Sequence, residues 1–395
     1  MAPIRVGIIG LSAGQWAAKA HLRYLQSAES KYTIVAVCNS SRDSAQRAIE
    51  ALNLPATVRA SGNPQGELSN NDTGIPASPG ENQQTDMMLA HVELADADDI
   101  DLVVCAVRVD RHFATISPAL KAGKNVLVEW PLGKNLAEAE ELLRLSQQNG
   151  VRVAAVGCQG RYDAAARTIK KLLEEGAIGK VLSTSVTGAG MIGGQVLDAA
   201  NAYLGQIEVG GNMVTIPVGH FLDTFTRALG PLRSFHSLLA TQRPVVDMVS
   251  ADGKVQEKNV QVTSSDQLLL HGTLESGAVF SIHVRGGPPF KGGTGMDWHI
   301  YGESGEVWVR GPNMHLQIYG ATSVQLHNFA TDEAHEVPLL KEGFDDWPPV
   351  HRNVARVYEA IASGEIENAT FCTFEQAVEN HRRIAETYVQ NGLTY

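Results

Sequence analysis

Val126-Leu127-Val128-Glu129-Trp130-Pro131-Leu132 is an apolar run that ends in a carboxylate, an indole and a proline. Read as a buried strand of a parallel sheet, it delivers Glu129 and Trp130 to the carboxyl end of that sheet, where open α/β folds bind their ligands. Pro131 then stops the strand, because it has no N–H for the ladder. The same three residues also serve as ordinary turn punctuation, so the flanking sequence must supply the meaning.

Upstream, Ile4 to Ile9 is a β-branched run that stops at Gly10, and a helical pattern with Ala17, Ala18, His21, Leu22 and Leu25 follows. A strand, a glycine turn and a helix can set free backbone N–H groups against a pyrophosphate. The turn Gly10-Leu11-Ser12-Ala13-Gly14-Gln15 is an imperfect fingerprint, with Ser12 where a second glycine is expected and Gly14 one residue early. The next strand, Thr33 to Cys38, runs into Asn39-Ser40-Ser41-Arg42, the place where a dinucleotide fold meets the adenosine ribose. An acidic residue there would hold the 2′-hydroxyl of NAD, whereas hydroxyls and an arginine accommodate the 2′-phosphate of NADP. The expectation is NADP, with NAD possible; the same serines equally suit a helix cap.

At 395 residues the chain is long enough for two domains, each with its own core. Its formal charge of -11 argues against a nucleic-acid surface, since phosphate binding needs clustered Lys and Arg and none appears. The cysteines Cys38, Cys105, Cys158 and Cys372 are scattered without zinc or disulfide spacing, so no metal is expected and a cytoplasmic protein with reduced thiols is. No apolar stretch has the length of a signal peptide or a membrane span.

Strands at 101–107 and 126–129 alternate with helical stretches, so the first half reads as a doubly wound parallel sheet. A Ser-, Gly-, Asn- and Pro-rich segment at 60–84 reads as a surface insertion. Val151 to Val156 is a further strand, followed by Gly157-Cys158-Gln159-Gly160-Arg161-Tyr162 and a helix from Ala164 to Glu175. Beyond Lys180 the pattern turns to strands: Val181 to Thr187, Val260 to Leu270, Val279 to Arg285, Trp298 to Tyr301, Glu306 to Arg310 and Leu316 to Tyr319. Runs of strands with few crossover helices imply a mostly antiparallel open sheet in an α+β domain. The expected boundaries are a dinucleotide-binding domain at 1–155 and a substrate and dimerisation domain at 156–395, the latter including C-terminal helices at 354–390.

With these pieces in order the chain resembles the Gfo/Idh/MocA oxidoreductases, and within them the fungal galactose-pathway repressor subgroup. Glu129-Trp130-Pro131 stands at the family's Glu-Lys-Pro, and Pro3-Ile4-Arg5-Val6-Gly7, Gln159-Gly160-Arg161, Gly219-His220-Phe221-Leu222-Asp223 and Gly302-Glu303-Ser304-Gly305 also match. The resemblance implies an N-terminal Rossmann domain, a C-terminal domain with a large open sheet, bound NAD or NADP, and homodimers through that sheet. Two departures matter. The family's catalytic lysine is Trp130, whose one N–H cannot titrate, and the first aspartate of the family's Asp-x-Gly-x-His-x-x-Asp is Ile216.

Proton transfer therefore falls to His220, with Asp223 three residues on to orient or charge-stabilise it and Tyr162 as a further catalytic candidate. Alternatively His220 and Asp223 form a buried polar cap with no proton role. The expected cofactor-facing set is Gly10, Ser12, Gly14, Ser40, Ser41, Arg42, Val107, His112, Glu129, Trp130, Gln159 and Arg161. The function expected is hydride transfer between a nicotinamide cofactor and a sugar or other small carbonyl or alcohol. The alternatives are a catalytically silent dinucleotide-binding regulator of the repressor type and redox-neutral use of a held cofactor.

Overall fold

The computed structural model describes residues 2–63, 91–341 and 343–395. The chain divides into two compact units, Met1–Gly157 with Val354–His381, and Cys158–Asn353 with Arg382–Tyr395. The second part of the first unit departs from the expected boundaries. Residues 354–381 belong with the dinucleotide-type sheet because Tyr358 is wholly buried among Tyr24 and Tyr32, stacked on Tyr24 at 5.4 Å and edge-on to Tyr32 at 5.2 Å. Helical periodicity marks an apolar face without naming the core it will enter.

In the first unit β1 (Ile4–Ile9), β2 (Tyr32–Ser41), β3 (Arg59–Asn63), β4 (Leu102–Cys105), β5 (Asn125–Glu129) and β6 (Ala154–Gly157) form a parallel sheet in the order β6-β5-β4-β1-β2-β3. The two-residue strand Cys372–Thr373 adds antiparallel to β6. Every residue of β4 is buried, as is β5 from Val126 on, which is why both read as continuous apolar runs rather than alternating ones. The strand order reverses at β1, flanked by β2 and β4, so the carboxyl ends of β1 and β4 open the crevice where this architecture takes a ligand. Residues 60–63 of the expected insertion are the end of β3, paired to β2; the rest of that insertion up to 84 lies outside the described residues.

The second unit holds an eight-stranded sheet among the described residues. Its strands are β7 (Val181–Ala189), β9 (Leu232–Ala240), β12 (Gln267–Leu274), β13 (Val279–Arg285), β14 (Met296–Gly302), β15 (Gly305–Gly311), β16 (Ser323–Asn328) and β17 (Glu333–Glu336), in the order β17-β16-β15-β14-β7-β13-β12-β9. All neighbours are antiparallel except β13 and β7. A smaller sheet joins β8 (Val196–Asp198), β10 (Val245–Val249) and β11 (Val255–Gln261).

Two expected strands fail here for local reasons. The run Val260 to Leu270 is two strands in different sheets, because Asp266 turns the chain by accepting from the N–H groups of Gln242 at 3.0 Å and Arg243 at 2.7 Å. Leu316–Tyr319 is a helical turn: Asn313 Oδ1 accepts from the His315 N–H at 2.8 Å before it, and Gly320, at φ +70°, ends it.

Helix Gly219–Leu229 lies on the inner face of the large sheet. Phe221 meets Trp298 edge-on at 5.3 Å, and Phe225, one turn on, packs at 5.8 Å from both Trp298 and Phe280. With 221 and 225 given to the core, His220, Asp223 and Thr224 fall to other sides of the helix.

Candidate functional site

β1 ends at Gly10, where φ is +91° and an added Cβ would stand 2.7 Å from Val107 Cγ1 and 2.8 Å from the Ala106 carbonyl oxygen. Only glycine fits between β1 and the end of β4. The turn is fixed from β2 as well, since the Gly10 N–H donates to the Cys38 carbonyl at 2.9 Å and Asn39 Nδ2 donates to the Leu11 carbonyl at 2.8 Å. Asn39 was not among the expected site residues; its place directly after an apolar strand was the available signal. Ser12 is partly buried, while Gly14 is exposed at φ +76° with nothing within 4 Å of its would-be Cβ. The turn thus offers an open stretch of backbone before the helix at 16–27, which fits a phosphate-bearing ligand.

At the ribose position the serines behave differently from one another. Ser41 caps helix Arg42–Ala51, its Oγ accepting from the Ser44 N–H at 3.1 Å. Ser40 is partly buried and Arg42 is exposed, its Nε donating to the Ala60 carbonyl at 3.2 Å. The capping role open to these serines is therefore the one Ser41 takes.

His112 is buried, with Nδ1 2.8 Å from the Pro131 carbonyl oxygen and Nε2 3.0 Å from that of Val107. Burial lowers its pKa, and a neutral imidazole has one N–H for the two acceptors. It pins the loop after β4 to the loop after β5. Beyond β5, the Trp130–Pro131 peptide is cis and the buried indole packs against the His381 ring at 4.8 Å. Burial, and then His112, pushes His381 down to about 3. Glu129 is buried too, its Oε1 2.9 Å from Nε2 of His21, whose Nδ1 is 2.9 Å from the Tyr358 hydroxyl. An added Cβ on Gly157 would come within 2.9 Å of that same carboxylate oxygen. Within this unit the Glu129 carboxylate thus ties the helix at 16–27 to the ends of β5 and β6.

In the second unit the turn Gln159–Tyr162 leads into helix Ala164–Glu174, which Asp163 caps by accepting from the Ala165 N–H at 3.0 Å. Full burial raises Asp163 to about 6 against the pull of its backbone donors. Gly160 lets the turn approach helix Gly219–Leu229, since a Cβ there would lie 2.7 Å from Thr224 Oγ1. Arg161 is then placed to form a buried fork with Asp223, Nη2 to Oδ1 at 2.5 Å and Nε to Oδ2 at 3.1 Å. Both Asp223 oxygens accept from Arg161, which holds the carboxylate in a buried ion pair.

His220 is buried, and desolvation, with a smaller contribution from His315, pushes it down to about 3. It is a neutral imidazole at physiological pH. His315, absent from the expected set, sits with Nε2 3.1 Å from the Gly190 carbonyl and Nδ1 3.4 Å from Gln317 Nε2. Gln159 is wholly buried, and neither atom of its amide has a hydrogen-bond partner among the described residues. Tyr162 is partly buried.

Residues 4–157 match the family described as "Oxidoreductase family, NAD-binding Rossmann fold", and residues 165–311 match "Gal80p, C-terminal domain". Over its Rossmann part the chain is thus similar to the Gfo/Idh/MocA oxidoreductases. Among Gfo/Idh/MocA relatives it is 29% identical over 338 residues to the galactose/lactose metabolism regulatory protein GAL80 of Kluyveromyces lactis, covering 80% of this chain and 67% of that one. It is 28% identical over 323 residues to the dehydrogenase aclE of Aspergillus oryzae, covering 79% and 78%. A super-repressor mutant of Gal80p from Saccharomyces cerevisiae has the same fold, with a TM-score of 0.83 at 23% identity over 99% of this chain and 96% of that one. The parallel Rossmann sheet and the mostly antiparallel second sheet are those of Gfo/Idh/MocA proteins.

Proposed function

We propose that the chain is a nicotinamide-dinucleotide-dependent oxidoreductase acting on a sugar or another small alcohol or carbonyl compound, with His220 handling the proton in place of the family lysine. The observation that carries this reading is the left-handed Gly10 turn at the end of β1, open at Gly14 before the helix at 16–27, in the part of the chain that matches the NAD-binding Rossmann family. The backbone from Gly10 to Gly14 would hold the pyrophosphate, with Ser40 and Arg42 nearest the ribose. Bound there, the dinucleotide supplies the hydride acceptor. A neutral imidazole can accept a proton from a substrate hydroxyl, but burial that holds His220 near 3 makes it a weak base, well below the value best suited to general-base work at neutral pH. No carboxylate stands in Asn39-Ser40-Ser41-Arg42, which favours NADP over NAD. Four buried cysteines suit a cytoplasmic setting, and no helix of the described residues is long and apolar enough to cross a membrane.

The chain is further proposed to form a homodimer through the outer face of the large sheet. Leu238, Leu269, Val279 and Tyr301 are exposed on that face, interleaved with His, Ser and Thr.

A second reading, a dinucleotide-binding regulator without turnover, is favoured by Trp130 packed on His381 where the family's lysine would stand. Fluorescence titration with NADPH and NADH, followed by a cofactor-reduction screen of sugars, polyols and hydroxy acids, separates the readings. Binding with turnover supports the enzyme. Tight binding with no turnover on any of these substrates supports the regulator. If neither dinucleotide binds at millimolar concentration, both readings fall.

A further inference from the structure

Directly opposed residues in a β-ladder point to the same face, and one row crosses six strands of the large sheet: His236, His271, Ser281, Ser185, His299 and Trp308. This is the face turned away from Phe280 and Trp298, and His236 and His271 are both exposed on it. The histidines of this sheet face differ in their partners. His299 Nδ1 lies 2.7 Å from Glu306 Oε1, and His327 Nε2 lies 3.0 Å from Asp332 Oδ1. His236 and His271 have no carboxylate partner among the described residues, and their rings lie side by side, tilted at 36° with centroids 5.7 Å apart.

We propose that His236 and His271 form a chelating site for a divalent transition-metal ion of the zinc, nickel or copper class, with water filling the remaining positions. Imidazole nitrogen is a good ligand for each of these ions. A tetrahedral ion with metal–nitrogen bonds of about 2.0–2.1 Å puts two imidazole centroids roughly 5 Å apart. The observed 5.7 Å is reached from that by small side-chain rotations. The scaffold is set beforehand: β12 and β9 pair without a register shift from Gln267↔Ala240 to Thr273↔Ser234. Leu238 opposes Leu269 on one side of the pair, and the hydroxyls of Ser234 and Thr273 meet at 3.1 Å on the other. Little backbone freedom is lost on binding. His283, exposed on β13 and diagonal to His271, is the nearest further imidazole in the ladder. Thiolates do not compete, because all four cysteines are buried.

The site stands apart from the dinucleotide reading but lies on the face proposed for the dimer, so light scattering with and without the ion accompanies its test, which needs no activity. Full-length protein without a histidine tag is titrated with Zn²⁺ and Ni²⁺ by calorimetry, and with Co²⁺ by visible absorption. The expected result is saturable binding of between one ion per two chains and one ion per chain. His236→Gln and His271→Gln should each weaken it at least about tenfold, and His299→Gln should leave it unchanged; because all three residues lie on the outer face, circular dichroism should confirm native folding. Acidification should release the ion, since protons compete for the same lone pairs. No saturable binding up to millimolar Zn²⁺, or binding unaltered in the His236→Gln/His271→Gln double variant, overturns the proposal.

Discussion

His220 and Trp130 are the single residues on which the proposed chemistry turns. With its imidazole held neutral down to about pH 3, His220 adds no inflection between pH 5 and 8 to the rate of alcohol oxidation. His220→Ala is expected to lower turnover roughly 10²-fold or more with dinucleotide affinity near wild type, because general acid–base catalysis is worth about 10²- to 10⁴-fold. Steady-state kinetics on a substrate found in the screen, with the pH profile, read this out; full turnover in the variant moves the proton role to Tyr162. Trp130→Phe should be much milder, since a phenyl ring retains most of the contact with His381.

At the scale of elements, the first turn of the first unit and the helix Gly219–Leu229 of the second are each open to test by a single substitution. Gly14→Ala meets no protein atom, so its folding cost is limited to the strain of φ +76°, about 1 kcal/mol, while its methyl group enters the open space before the helix. The expectation is a nearly unchanged melting temperature with dinucleotide affinity reduced at least about tenfold. Unchanged affinity would remove the phosphate from this turn. Asp223→Asn, by contrast, leaves the Arg161 guanidinium buried without its counter-charge and should cost about 3–5 kcal/mol in the second unit. Urea denaturation followed by tryptophan fluorescence measures it, and a change below 1 kcal/mol would show that the pair is solvated in practice.

Across the whole molecule, neutral histidines make stability sensitive to acid. His91 is pushed down to about 4 and His220 and His381 to about 3, all by burial, against an ordinary value of 6.5. Between pH 6.5 and 4 the unfolded chain therefore binds protons that the folded chain refuses, and stability falls as pH falls through that window, by about 1 kcal/mol per unit for each group. Asp163 works the other way: raised to about 6, it binds a proton in the folded state first and offsets roughly one histidine between pH 6 and 4. Thermal melts from pH 7 to 4.5 should show a steady loss; a flat profile would mean that these imidazoles are hydrated or compensated.

What the sequence determined by itself is whatever depends on near neighbours. The buried runs of β4 and β5, the left-handed Gly10, the cap at Ser41 and the change from parallel to antiparallel patterning are all legible in composition and period. The replacement of the lysine of the Glu-Lys-Pro motif by Trp130 is legible too. Only the tertiary structure decided partners. Asp223 is close to His220 along its helix, yet its carboxylate goes to Arg161, because Gly160 lets that turn come within reach. Trp130 meets His381, and Glu129 meets His21, across long stretches of chain. His236 and His271 are unremarkable apart in the sequence and become a pair only through strand register. Periodicity is a local property of the chain, whereas burial, ion pairing and ladder register are settled by which distant segments exclude water together.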